Sequence, residues 1–386
     1  MMLKDRPLSE SNQRTSGQKA PRVRSAMAAS SRGHVNDRRI LTEDITRRRC
    51  RRVMFIIFAL VLLLALMIGC SALGVTEGNL LTVWRAVTCG ILGKEPMETA
   101  QKVILHLRLP RIVLGALVGI GLSGSGVVMQ GLTRNPLVSP FTIGISSAAS
   151  FGASVAIVFG FSFWGFSETG VVSNAFLAAL VCALVVFLLA QRLSLSAEGF
   201  VLTGIALNYF FQACGAGVRF VANEVKLAEV VAWSFGSLNG GSWKEVSIVL
   251  AVVVCCGILL MLMHRPLSLM AALDDDIVRT MGVHPGFIRL AAIALSVLMT
   301  AASISFTGII GFVGLAAPHI ARNMVGSRYA TLLPMSGLVG GILVVLSDTI
   351  GRMLLSPIII PVGIIISFVG VPIFVHQIIA TRRQSI

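Results

Sequence analysis

The sequence predicts an all-α, polytopic membrane bundle with about ten transmembrane helices. Apolar residues make up 55% of the 386 residues and charged residues only 13%, and the apolar residues form nearly continuous runs between Val53 and Ile379. A bilayer core of about 30 Å needs about 20 apolar residues per helix, and such continuous runs lack the alternation of barrel strands. The 38 glycines, several of them grouped within single runs, favour close contact between helices in lipid.

Ten spans can be cut from these runs, and the eighth is short enough to be a partial or tilted helix. They are expected near residues 53–74, 112–132, 141–162, 171–190, 199–218, 246–263, 287–307, 308–321, 331–350 and 358–380. Two connections are long. Residues 75–111 are expected to form a short surface helix. In residues 264–286, Leu273, Ile277 and Met281 recur at helical spacing, and Gly282 is placed as the C-terminal cap of a second such helix.

The N-terminal segment has a different composition. Residues 1–52 hold 14 Lys and Arg against 5 Asp and Glu and show no apolar periodicity, which is typical of a basic, disordered tail. The cluster of arginines that ends it adjoins the first span, so the positive-inside rule places it in the cytoplasm, where it can also contact anionic lipid. An even number of spans then puts both termini in the cytoplasm. The expected organisation is a tail (1–52), a membrane domain (53–380) and a short cytoplasmic C-terminus (381–386).

The motifs of an enzyme are missing from the sequence. The segment from Gly90 to Lys94 has two residues where a phosphate-binding loop has four between its glycines, and no Ser or Thr follows the lysine. The seven cysteines show no zinc or disulfide spacing. We therefore expect no catalytic residue, metal site or cofactor in this chain, and no nucleic-acid partner.

The predicted spans are nearly free of ionisable residues. The exception is Asp348, which has Arg352 four residues later on the same helix face. Two interpretations stay open: an ion pair near a helix end, or the ion-coupling site of a secondary carrier working without an ATPase.

Three strings carry a more specific pattern. The first runs from Arg108-Leu-Pro-Arg111 through a glycine-rich span to Arg134-Asn-Pro-Leu-Val-Ser-Pro140 and Gly144-Ile-Ser-Ser147. The second is the acidic loop that ends in Arg279-Thr-Met-Gly282-Val. The third is Gly308-Ile-Ile-Gly-Phe-Val-Gly-Leu-Ala-Ala-Pro-His-Ile-Ala-Arg322, followed by Asp348, Arg352 and Pro361-Val-Gly363. In this order the three strings resemble the permease subunit of iron-siderophore, haem and vitamin B12 ABC importers.

The resemblance implies a bacterial or archaeal cytoplasmic (inner) membrane protein that works with partners. Such permeases form homodimers or heterodimers around a central translocation path, and a homodimer is expected here. Two ATPase subunits that bind ATP and Mg attach on the cytoplasmic side, and a periplasmic or lipid-anchored binding protein delivers the substrate. A ferric siderophore is the expected substrate, with haem, cobalamin and molybdate as alternatives.

The resemblance also implies roles for particular residues. Docking of the binding protein is assigned to Arg108, Arg111 and Arg352, although helix-end anchoring of Arg111 and pairing of Arg352 with Asp348 compete with that role. Contact with the ATPase is assigned to the coupling segment (residues 273–283), with Gly282 as the turn between two short helices; its named residues are Leu273, Asp275, Asp276, Arg279 and Gly282. Walls of the translocation path are assigned to Ser123, Ser125 and Ser146.

Two positions depart from the family pattern. Asp274 and Ala148 stand where the family usually has glycine. Asp274 is expected to alter the start of the helix in the coupling segment, whereas Ala148 is expected to fill a packing space between helices.

Overall fold

The structure is a computed structural model that describes residues 47, 49–73, 80–92, 99–163, 168–192 and 197–384. The predicted tail, residues 1–52, lies almost entirely outside these described residues. Among the described residues, β structure is limited to a single bridge between Leu355 and Ile358, and the rest of the regular structure is helical.

The chain forms fifteen described helices and two short helical turns. The helices are α1 (Arg49–Ala72), α2 (Leu80–Ile91), α3 (Thr99–Val103), α4 (Leu109–Leu132), α5 (Ile145–Phe159), α6 (Glu168–Arg192), α7 (Ala197–Phe220), α8 (Glu224–Ser234), α9 (Trp243–Leu262), α10 (His264–Ala272), α11 (Asp275–Thr280), α12 (Pro285–Thr307), α13 (Val313–Val325), α14 (Tyr329–Met353) and α15 (Val362–Gln384). A π-helical turn (Ile104–Arg108) joins α3 to α4, and a 3₁₀ turn (Pro140–Ile143) precedes α5.

The predicted all-α membrane bundle is confirmed. Among the described helices, seven are long and apolar enough to cross a membrane: α1, the continuous helix from Thr99 to Leu132, α6, α7, α9, α12 and α14. Two shorter apolar helices are α5 and the first part of α15. Each of the ten predicted spans overlaps a helix, and the short eighth span corresponds to α13, which has 13 residues.

One boundary differs from the predicted one, and one helix was not predicted. The second span begins at Thr99 rather than near residue 112, because a π-helical turn accommodates Pro110, whose ring cannot donate a backbone hydrogen bond. Arg108 and Arg111 are therefore helical rather than in a loop. The connection before α9 contains the unpredicted helix α8, which starts where the Asn223 side chain accepts a hydrogen bond from the backbone N–H of Lys226 at 2.9 Å.

Helix α4 lies at the centre of one group of helices. In its most apolar window 89% of the residues are buried, against 17% in α1, and it packs against α9, α12, α13 and α14. The contacts with α13 and α14 run through glycines. A Cβ atom built on Gly126 would lie 2.0 Å from the carbonyl oxygen of Gly314, and one built on Gly119 would lie 2.3 Å from that of Gly340. The backbones of these helices therefore touch, as small residues allow in membrane bundles.

Helix α12 joins this group to a second one. Helices α6, α7 and α8 pack against α5, while α12 contacts both α4 and α6. Five buried hydroxyl side chains of α12 each donate a hydrogen bond to the carbonyl oxygen four residues earlier in the same helix, at 2.6–2.9 Å; they are those of Ser296, Thr300, Ser303, Ser305 and Thr307.

Candidate functional site

A buried carboxylate links the two helices that carry the predicted docking arginines. Asp348 of α14 is 2% exposed. It accepts hydrogen bonds from Arg111 of α4, with Nη2 at 2.6 Å from Oδ1 and Nε at 3.0 Å from both carboxylate oxygens. The Nε atom of Arg352 lies 3.2 Å from Oδ2 as an ion-pair contact without hydrogen-bond geometry. Two guanidinium groups therefore face one carboxylate, which leaves a formal charge of +1.

Arg108 lies one helical turn before Arg111 and extends the positive charge at this end. Its side chain is largely buried, and its Nη1 atom donates to the carbonyl oxygen of Ser71 on α1 at 3.3 Å. Arg111 also donates through Nη1 to Asn239 Oδ1. The pairing of Arg352 with Asp348 is thus present, and Arg111 crosses between helices instead of only anchoring a helix end. We call Arg108, Arg111, Asp348 and Arg352 the arginine cluster.

The coupling segment lies at the other end of α4. The predicted helix from Leu273 is wrong at its start, because α10 ends at Ala272 and the backbone of Leu273 and Asp274 is extended before α11 begins at Asp275. Gly282 caps α11 as predicted: its φ is +80° and its N–H donates to the carbonyl oxygen of Arg279 at 3.0 Å. The next helix, α12, is 23 residues long, so the break between the two short helices falls at Leu273 and Asp274 rather than at Gly282.

One face of the coupling segment is uncovered by the described part of the chain. Val278 is buried, whereas Ile277 and Met281 are 46% and 55% exposed. Charged side chains flank these apolar residues, since Asp276 is 94% exposed and Arg279 is 66% exposed. The segment therefore presents an amphipathic surface with its apolar residues outward.

Asp275 faces the bundle instead. Its two carboxylate oxygens each accept a hydrogen bond from Arg289 Nη2 of α12 at 3.0 Å. Asp275 also occupies the first turn of α11, where a negative charge is favoured. Asp275 and Asp276, which the sequence places side by side, therefore differ: Asp275 holds the segment to α12, and Asp276 points to solvent.

Arg134, which belongs to the first of the three sequence strings, makes a central contact in the structure. It follows α4 and approaches the coupling segment, with Nη1 at 2.5 Å from Asp274 Oδ1 and Nη2 at 3.9 Å from Asp275 Oδ1. It also donates to the carbonyl oxygens of Met270, at 3.2 Å, and Leu273. Sequence reasoning missed these contacts because the partners are about 140 residues away along the chain.

The arginine cluster and the coupling segment lie at opposite ends of α4. This helix has 24 residues, which at 1.5 Å per residue is about 36 Å. The hydrocarbon core of a bilayer is about 30 Å thick. The two charged regions can therefore lie on opposite sides of a membrane.

The three predicted path serines are placed differently. Ser123 and Ser125 are fully buried in helix packing. Ser123 donates to the carbonyl oxygen of Gly119 at 2.7 Å, and Ser125 donates to that of Ser296 at 2.9 Å. Ser146 is half-buried, and Ala148 is fully buried, in agreement with the packing role expected for it. In this conformation only Ser146 of the three reaches accessible surface.

A comparison with known protein families identifies the class of membrane protein that carries the arginine cluster and the coupling segment. The model of the FecCD transport family matches residues 57–380. The chain belongs to the FecCD transport family. A FecCD protein of this kind is a multi-pass membrane protein and the permease subunit of an ABC importer, and the permease subunit is not itself an ATPase.

Relatives of this FecCD chain are found in archaea and bacteria. Over 85% of its length, the chain is 36% identical to a protein of Methanocaldococcus jannaschii that is provisionally named an ABC transporter permease. The match covers 96% of that protein. Over 88% of its length, the chain is 32% identical to the Fe(3+)-citrate import system permease protein YfmE of Bacillus subtilis, and the match covers 99% of that protein. Over 85% of its length, the chain is also 32% identical to the hemin transport system permease protein HmuU of Yersinia pestis, and the match covers 96% of that protein.

A solved structure agrees with the FecCD fold. It is described as an inward-facing conformation of a provisionally assigned metal-chelate type ABC transporter. The similarity has a TM-score of 0.73 at 30% identity and covers 83% of this chain and 96% of that one. The fold of this FecCD chain is therefore that of an ABC transporter membrane subunit, which favours the ion-pair interpretation of Asp348 over that of an ion-coupling site. In the part of the chain that the structure describes, no group of three or more His, Cys, Asp and Glu could hold a metal ion.

Proposed function

We propose that this chain is the permease of an importer for a ferric siderophore, acting as a homodimer with two ATPase subunits and a separate binding protein. The observation that carries the proposal is the uncovered face of the coupling segment, at the opposite end of α4 from the arginine cluster. One end is suited to an ATPase that binds ATP and Mg in the cytoplasm. The other is suited to a periplasmic or lipid-anchored protein that delivers the substrate.

The coupling segment supports the contact with the ATPase. Isolated apolar residues on a surface are ordinary, but Ile277 and Met281 lie side by side on a short helix and its cap, with Asp276 and Arg279 at the rim. Apolar residues at the centre and charged residues at the edge are typical of protein interfaces. This end is cytoplasmic in the proposal, together with both chain termini.

We expect the change Met281→Asp, or Asp276→Lys, to weaken the association with the ATPase while the permease still folds. Met281→Asp places a charge in the apolar centre of the contact, and truncating such central residues costs about 2 kcal/mol or more, which is about 30-fold in affinity. The measurement is co-purification in detergent with the ATPase encoded beside this gene, followed by a titration of the two purified components.

The matched control is Glu229→Lys, an exposed charge reversal on α8 at the arginine-cluster end of the bundle. It should leave the ATPase affinity unchanged. Equal affinity of wild type, Met281→Asp and Asp276→Lys would contradict the assigned contact, and failure of any ATPase to associate with the wild type would contradict the proposed function as a whole.

The arginine cluster supports docking of the binding protein. Arg111 and Arg352 share one buried carboxylate, which leaves one positive charge that can bind a further carboxylate from outside. Arginine offers a planar fork that fits a carboxylate in a bidentate way. Such charges guide the encounter and its register more than they add affinity.

We expect Arg352→Gln to slow the association of the binding protein by about tenfold at low salt, because association rates steered by charge fall strongly when a charge is lost. The effect should shrink as ionic strength rises. Surface plasmon resonance with the immobilised permease measures the rate, and Lys226→Gln on α8 is the control that removes an exposed cation from the same end. An association rate that is the same for Arg352→Gln and wild type at low salt would exclude Arg352 from docking.

The substrate is inferred from the named relatives, and the dimer from exposed apolar side chains. Named relatives of similar identity carry ferric citrate or hemin, so chelated iron is the chemistry they share. Exposed apolar side chains on α7 and α15, among them Tyr209, Phe210 and Phe368, offer a surface for a second copy around a path that Ser146 would line. Uptake of iron-55 as a siderophore chelate into proteoliposomes, with hemin, cobalamin and molybdate as competitors, identifies the substrate.

A further inference from the structure

The loop after α4 holds the coupling segment through a single side chain, that of Arg134. The backbone of Arg134 has a φ of +50°, a left-handed conformation that few residues other than glycine adopt. This conformation follows directly on the end of α4 and carries the guanidinium group to the break between α10 and α11. Such a conformation is costly for a residue other than glycine, and it persists where surrounding contacts hold it in place.

The contacts of Arg134 fall on both sides of that break. The last four carbonyl groups of a helix have no partner within the helix, and the carbonyl of Met270 is one of them in α10. Arg134 binds this carbonyl at 3.2 Å and also binds the carbonyl of Leu273. On the other side it pairs with Asp274, the residue that precedes α11, at 2.5 Å.

A second arginine also binds the coupling segment. Arg289 of α12 binds the carboxylate of Asp275, while Arg134 binds that of Asp274. Among the described side chains, Asp274 is bound by Arg134 alone, whereas Asp275 faces both arginines, since Arg134 Nη2 also lies 3.9 Å from its Oδ1. The segment is therefore tied both to the loop at the end of α4 and to α12. Because α4 carries Arg111 at its far end, a displacement of the coupling segment has a continuous route to the arginine cluster.

We propose that Arg134 and Asp274 form the link that transmits movement of the coupling segment to α4 during transport. This inference rests on the proposed function. Arg134 is a positioning residue: it touches neither nucleotide nor substrate, and it acts by keeping the segment and α4 together.

The exposure of the pair agrees with a mechanical role. The side chains of Arg134 and Asp274 are 40% and 79% exposed, and ion pairs of such exposure contribute little to stability. The pair therefore does little to hold the fold together. Its loss should separate ATP hydrolysis from transport rather than unfold the protein.

The test uses the complete transporter, with its ATPase and binding protein, reconstituted in proteoliposomes. Substrate transported per ATP hydrolysed is measured for wild type, Arg134→Ala, Arg134→Lys, Asp274→Asn and the exchange Arg134→Asp with Asp274→Arg. We expect Arg134→Ala to lower this ratio about fivefold or more, the scale of a typical coupling energy between sites. The ratio for Arg134→Lys should lie between those of wild type and Arg134→Ala. Lysine keeps the charge but cannot bind the two carbonyls and the carboxylate with one planar group.

Co-purification with the ATPase and thermal stability are measured on the same samples. The proposal expects both to stay at the wild-type level in Arg134→Ala, and expects the charge exchange to recover part of the ratio lost in Asp274→Asn. The control is Arg265→Ala, an exposed arginine of α10, which should leave the ratio unchanged. An unchanged ratio in Arg134→Ala, or loss of the ATPase from that variant alone, overturns the link, whereas a wild type that binds no ATPase overturns the proposed function instead.

Discussion

Replacing Asp348 with alanine is expected to destabilise the permease by about 3–5 kcal/mol, which is the usual cost of removing one partner from a buried ion pair. The guanidinium groups of Arg111 and Arg352 would remain in a largely buried site with no anion between them. Helices α4 and α14 would then repel each other at the end where Asp348 now joins them. The measurement is the midpoint of thermal unfolding in detergent, together with the fraction of monodisperse protein.

Asp276→Ala is the control for this change, because Asp276 is 94% exposed and an exposed substitution should alter stability by less than about 0.5 kcal/mol. The result also separates two roles for the carboxylate. An ion-coupling residue could be neutralised with loss of transport and an intact fold, whereas the ion pair described above predicts loss of the fold itself. Equal stability of Asp348→Ala and wild type would mean that Arg111 and Arg352 do not depend on this carboxylate.

Replacing Gly126 with alanine is expected to separate α4 from α13 and to destabilise the bundle by about 1–3 kcal/mol, the range found for overpacked cores. The added Cβ would lie 2.0 Å from a backbone carbonyl oxygen, which cannot turn aside as a flexible side chain can. We expect a lower unfolding midpoint and a smaller yield of folded protein.

Gly257→Ala provides a matched control in another membrane helix. A Cβ on Gly257 would meet nothing within 4 Å, and alanine is favoured over glycine in a helix by about 1 kcal/mol. The control should therefore be neutral or slightly stabilising. If both variants behave alike, the close approach of α4 and α13 is not required in the folded protein.

The fold class could be predicted from the sequence because the membrane imposes a strong, local rule. Apolar length alone located a helix at each expected span. The boundary at Thr99 could not be predicted in this way, because Pro110 looks like the start of a helix and the π-helical turn that accommodates it has no simple sequence signal. Helix α8 was missed because it lies in a connection that composition treats as a loop.

The candidate site was predictable where it depends on near neighbours. The spacing of Asp348 and Arg352 made their pairing one of two open interpretations, and the structure contains this pair. Gly282 was correctly placed as a cap. The bond from Arg111 to Asp348 joins residues 237 apart, and only the packing of α4 on α14 brings them together. The different roles of Asp275 and Asp276 were equally hidden, since both are acidic and adjacent, and the contacts of Asp275 with Arg289 and Arg134 distinguish them.

Helix α12 has a further property that bears on how the two groups of helices can move. Its five buried hydroxyl groups are all bonded to carbonyls of their own helix. None of those bonds crosses to α6, so α6 can slide or tilt along α12 without breaking any of them. A transporter that alternates between two arrangements can therefore change the packing of α6 against α12 without breaking a hydrogen bond made by these hydroxyl groups.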